Sequence, residues 1–154
     1  MLALVWGGGW WLFTLLLVAA LIGLHEYCLL IRSLHPLVLA GYAGMALTLL
    51  GAEIGGLPWA VAGLFATIPI AFAQYGISTT RQPATIAVGT TLLGVVWIGG
   101  GLATFELIRA IPAGDHHLGQ LAAFTVLLAV FAADTAAYGT VSYTHLTLPT
   151  NREV

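Results

Sequence analysis

Five stretches of the chain carry few charged side chains, and short clusters of Gly, Pro and polar residues separate them. They cover residues 10–31, 37–52, 59–75, 85–105 and 118–138. A helix needs about 20 mostly apolar residues to cross the hydrocarbon core of a bilayer. The pattern therefore predicts an all-α, multi-pass integral membrane protein with about five spanning helices. The second and third stretches are short, and predict thin or tilted spans. "RSLHP" ends the first, with Pro36 suited to the first turn of the next helix. "GAEIGGLPW" parts the second from the third, and "GISTTRQP" and "RAIPAGDHH" precede the fourth and fifth. Trp10, Trp11, Trp59 and Tyr75 fall near span ends, where amphipathic rings favour the headgroup layer. Gly51 and Gly55 form a G-x-x-x-G spacing. That spacing marks close helix packing, unless Gly55 belongs to the loop.

Composition agrees with this class. The chain of 154 residues is 60% hydrophobic and 6% charged, with a mean hydropathy of +1.00. Soluble domains carry about a quarter charged residues, so an ordinary water-soluble fold is excluded. There is no lysine, and the basic residues are Arg32, Arg81, Arg109 and Arg152. No basic patch for nucleic acid exists, and a net charge of -2 implies no partner. Cys28 stands alone, so an internal disulfide is excluded; it reads as a small apolar residue of a helix. The opening residues lack the positive n-region of a signal peptide, and the apolar run after Trp10 is too long for one. Placing Arg32 and Arg81 in the cytoplasm puts Met1 outside, Tyr138 at the cytoplasmic face, and Arg109 outside near Glu106 and Asp115.

Asp134, in "AADTAAY", is the leading candidate for chemistry. An ionisable side chain in a spanning segment is costly and points to a functional site; the alternative is a carboxylate solvated at a helix end. Thr135 and Tyr138 add hydroxyls, and Tyr138 is four residues on, on the same helix face. Glu26, beside His25 in "GLHEYCLL", either pairs with an arginine, lines a polar cavity, or is solvated at the interface. Glu53 and Glu106 read as span-end charges. Asp115, His116 and His117 have metal-ligand residue types, but adjacent histidines point apart and no further ligand follows.

The last apolar stretch, "LAAFTVLLAVFAADTAAY", resembles the bacterial phosphatidate cytidylyltransferases (CDP-diacylglycerol synthases), in which an apolar helix ends in a "DT-x-AY" element. "GGGWWLFTLLLVAALIGLHEY" resembles that family's early glycine-aromatic turn and helix, and "TTLLGVVWIGGGLATFELIR" its mid-chain helix. The resemblance covers roughly residues 2–138. It implies an all-helical membrane enzyme of the bacterial inner membrane, acting on CTP and phosphatidate, with a divalent metal, normally Mg2+. By position it makes Asp134 catalytic and metal-binding, and Thr135, Tyr138 and Glu26 substrate contacts. A homodimer is left open.

After Tyr138 the family's "G-R" and "S-P-x-K-T-x-E-G" elements do not follow. "VSYTHLTLPT", residues 141–150, instead resembles a translated transposon-end sequencing adapter. Residues 1–139 are therefore expected to be the N-terminal membrane part of a cytidylyltransferase-like domain, inactive alone, and residues 140–154 a non-native tail. Met1 is expected to be an internal start. Two other readings compete: a small multi-pass transporter or non-catalytic membrane scaffold, and a related polyprenol or dolichol-type membrane protein.

Overall fold

A computed structural model describes residues 8–79, 82–111 and 117–147, the last six of these by backbone alone. Arg81, Asp115, His116 and everything from residue 148 onward lie outside the described residues, as does the segment before Gly8. The described residues form helices and short connections: α1 (Gly9–Leu30), a 3-10 turn (Arg32–Leu34), α2 (Val38–Ile77), α3 (Ala84–Arg109) and α4 (Leu118–Thr147). Each of the four long helices contains a stretch long and apolar enough to cross a membrane.

Helix α2 is two arms rather than one rod. Its 40 residues break at Gly56, whose φ of 68° and ψ of -155° fall in a region open essentially to glycine alone. Beyond it the chain turns back. A Cβ at Gly44 would collide with the Thr67 side chain, one at Gly51 with the Trp59 carbonyl, and one at Gly63 with the Leu47 carbonyl. The Ala40 N–H donates to Gln74 Oε1 at 2.6 Å, closing the open end of the hairpin. The arms, residues 38–55 and 57–77, are about 27 and 31 Å long at 1.5 Å per residue, close to the hydrocarbon thickness of about 30 Å. With both arms counted the chain makes five passes through the bundle, as the apolar pattern predicted. Each arm reaches nearer the turn than the sequence implied. Gly55 is helical rather than a loop residue, and its face meets the Trp59 ring.

The five passes alternate in direction, which gives the bundle two ends. At the Arg32 end lie the connections after α1 and after α2. At the Gly56 end lie the start of α1, the hairpin turn, the end of α3 and the start of α4. The main core joins α1, both arms and α3 through Phe13, Leu24, Met45, Leu49, Ala60 and Ala103. The helices are apolar on every side, because the outward faces meet lipid rather than water. Glycines and alanines at the contacts let backbones approach, and Thr48 and Thr67 bury their hydroxyls by donating to Gly44 O and Gly63 O of their own helix.

Helix α4 is attached differently. Its N-terminal part packs Ala123, Phe124 and Leu127 against Leu12 and Leu16 of α1 and Leu102 and Phe105 of α3. Residues 128–138 are exposed on every side. The helix also continues to Thr147. No Gly or Pro interrupts residues 140–147, and Thr and Ser are tolerated in a helix at modest cost.

Candidate functional site

The passes containing α1 and α4 run in the same direction, since their first turns share one cluster. Glu26 on α1 and Asp134 on α4 are therefore both carried to the Arg32 end. The side chains stay apart from others there. Asp134, Thr135 and Glu26 are exposed, and Tyr138 is 78% exposed. Thr135 Oγ1 donates to Phe131 O of its own helix at 2.7 Å, leaving its lone pairs outward. Among the described residues no hydrogen bond joins Asp134, Tyr138 or Glu26 to another side chain, and no group of three or more His, Cys, Asp or Glu gathers to hold a metal.

Thr91 and Gln74, which the sequence reading passed over, build much of the polar architecture of the Arg32 end. Thr91 Oγ1 accepts from Leu37 N at 2.8 Å while donating to Ala87 O at 2.8 Å. Gln74 accepts from Ala40 N. Two of the orphan N–H groups at the start of α2, those of Leu37 and Ala40, are thus satisfied from α3 and from its own second arm, with no local capping side chain. Tyr75 donates to Gln82 O at 2.8 Å, and Gln82 Nε2 donates to Ser33 O at 3.3 Å, tying the two connections together. Tyr27 donates to Thr90 O at 2.9 Å, holding α1 on α3. His25 Nδ1 and Tyr42 Oη form a 2.9 Å bond between α1 and α2.

Two clefts open between these connections. The larger, about 700 Å³, is lined by His35, Pro36, Leu37, Gln74, Ser78, Thr79 and Gln82. The smaller, about 270 Å³, is lined by His25, Arg32 and His35 with apolar neighbours. They share His35, held at φ 52° where the 3-10 turn ends. No carboxylate lines either cleft. Amides, hydroxyls, imidazoles and a guanidinium are hydrogen-bond donors, a lining suited to phosphate oxygens. Gln74 was the available signal: it is the one amide in the otherwise apolar "IPIAFAQYGI". His35 gave no such signal, because it lies in an ordinary polar connection.

At the Gly56 end, His117 opens α4 and bonds Gln120 Oε1 through Nδ1 at 2.8 Å. The other two members of its "DHH" string lie outside the described residues. Glu106, which the sequence placed as a span-end charge, is only 4% exposed. It lies in the last turn of α3, where that helix packs into the bundle.

Residues 1–141 match the model of the cytidylyltransferase family. No curated protein matches the chain. No solved structure matches it.

Proposed function

Since the chain belongs to the cytidylyltransferase family, we propose that it is the membrane-embedded N-terminal part of a phosphatidate cytidylyltransferase of the bacterial inner membrane. The observation that carries this reading is the family match over residues 1–141, which takes in α4 from its start through Val141, Asp134 included. In the proposed reaction a phosphate oxygen of phosphatidate attacks the α-phosphorus of CTP. The bond from that phosphorus to the β-bridging oxygen breaks, pyrophosphate leaves, and CDP-diacylglycerol stays in the bilayer.

Asp134 suits the binding of Mg2+, because this ion takes one or two carboxylates and completes its shell with water and substrate phosphates. When bound, Mg2+ neutralises charge gathering on the transferring phosphate. Thr135 offers lone pairs, and Tyr138 a hydroxyl one helical turn from Asp134, to the nucleotide. Glu26 and the donors His25, Arg32 and His35 lie at the same end of the bundle, which the orientation of Arg32 assigns to the cytoplasm. Phosphatidate reaches the site sideways from the leaflet.

Phosphoryl chemistry is driven by several charges acting together, and the described residues gather none around Asp134. This chain alone is therefore proposed to be inactive. The test uses labelled CTP, Mg2+ and phosphatidate in mixed micelles. The purified chain is expected to form no CDP-diacylglycerol. A complete enzyme carrying residues 1–139 is expected to lose at least about a hundredfold in rate on Asp134→Asn, the scale of removing a preorganised electrostatic group. Product from the isolated chain would overturn the inactivity, and an unimpaired D134N enzyme would overturn the role of Asp134. Transfer to a polyprenyl phosphate in preference to phosphatidate would overturn the substrate.

A further inference from the structure

Two carboxylates meet at the opposite end of the bundle from Asp134. Glu106 is 4% exposed, and neither of its carboxylate oxygens has a hydrogen-bond partner. The side chain that reaches it is Glu53, from the first arm of α2. Glu53 is half-buried. While both are ionised the two carboxylates offer each other no hydrogen, and a single proton held between them joins only one oxygen of each.

Position makes the pair costlier still. Glu53 lies in the last turn of an arm ending at residue 55, and Glu106 in the last turn of α3, which ends at Arg109. The C-terminus of a helix carries partial negative charge and disfavours a carboxylate. Two such termini converge here, each presenting its own glutamate. Arg109 does not neutralise them as a partner of Glu106: its guanidinium lies against Gly8, with Nη2 2.8 Å from where a Cβ of Gly8 would stand. His117, at the start of α4, is engaged with Gln120.

We propose that Glu53 and Glu106 form a binding site for a hard divalent cation of the Mg2+, Mn2+ or Ca2+ class. The ion pins the hairpin turn of α2 to the end of α3. A shared proton is the competing occupant, and it accounts for less. It leaves one Glu106 oxygen without a donor and neutralises one charge of the two. A divalent ion engages both oxygens and both charges, with water filling the rest of its shell. The convergence of two negative helix ends favours it further.

The test is a titration of Mn2+ into the purified chain in lipid nanodiscs, read by loss of the six-line EPR signal of aqueous Mn2+. Carrying Asp134→Asn in every sample keeps the result independent of the proposed catalytic end. One saturable Mn2+ per chain is expected, with affinity falling at least about tenfold in Glu53→Gln and in Glu106→Gln, as loss of a coordinating group implies. Should the E106Q chain fail to fold, E53Q decides, since Glu53 is half exposed. Absence of saturable binding, or binding unchanged by both substitutions, overturns the proposal. So does a chain stabilised by acidification but indifferent to Mn2+, which would identify the proton as occupant.

Discussion

At the scale of single residues, absent side chains do as much as present ones. Gly63 sits where a methyl group would strike the Leu47 carbonyl, a backbone atom with little room to move. Gly89 faces open space on the exposed side of α3. Gly63→Ala should therefore cost about 1–3 kcal/mol by overpacking, whereas Gly89→Ala should be neutral or gain up to about 1 kcal/mol from helix propensity. SDS unfolding in mixed micelles measures both. Equal effects would mean that the arms of α2 do not touch at Gly63. This contrast was only partly legible in the sequence. Gly51 and Gly55 announced themselves by their spacing, but Gly63 meets a residue 16 positions earlier, and no local pattern reports that. The same holds for charge. Asp134 stood out as an acid among small apolar residues, while Glu53 and Glu106 each looked like an ordinary end-of-span charge. Only the folding of two separate helices onto each other brings them together.

At the scale of elements, the hairpin of α2 is the feature on which the rest depends. The sequence marked its break through two glycines and Pro58, since these weaken a helix by entropy and by loss of a donor. The turning residue was not marked, because Gly55 and Gly56 are adjacent and chemically identical. Gly56 alone takes the positive φ. Gly56→Ala should cost about 1–3 kcal/mol, the scale of forcing a side chain into this region, and Gly55→Ala should act instead through the Trp59 ring it faces. Unfolding of the two variants against Trp fluorescence separates these causes. A change in Trp59 emission is expected from the second, and stability unchanged in G56A would refute the sharp turn. Apolar segments were legible throughout, because a bilayer demands about 20 such residues whatever the fold. The latches that orient them were not. Thr91 caps Leu37 from 54 positions away, and a buried threonine bonded to its own helix looks the same in sequence whether or not it also accepts a distant N–H.

At the scale of the whole molecule, the candidate chemistry divides between two ends, and the number of passes decides which groups share a side of the membrane. With α2 folded at Gly56, the Arg32–Leu34 turn, the α2–α3 connection and Asp134 share one end. Gly56, Ile111 and the Glu53–Glu106 pair share the other. Were α2 a single crossing, the α2–α3 connection would move to the Gly56 end and the last pass would reverse. Asp134 would then face away from Arg32, and a nucleotide bound at one face could not reach both. Cysteine labelling in intact vesicles distinguishes the two arrangements, with Cys28→Ala removing the native thiol, which is buried. Single cysteines at Ser33 and Ser78 should react with a membrane-impermeant maleimide from one side, and cysteines at Leu57, exposed beside the turn, and Ile111 from the other. The positive-inside tendency assigns the Ser33 side to the cytoplasm. Labelling of positions 33 and 78 from opposite sides would break the hairpin, and with it the common end on which both Asp134 and the donor-lined clefts depend. Labelling of 33 and 78 together, but from outside, would keep the fold and withdraw the cytosolic nucleotide.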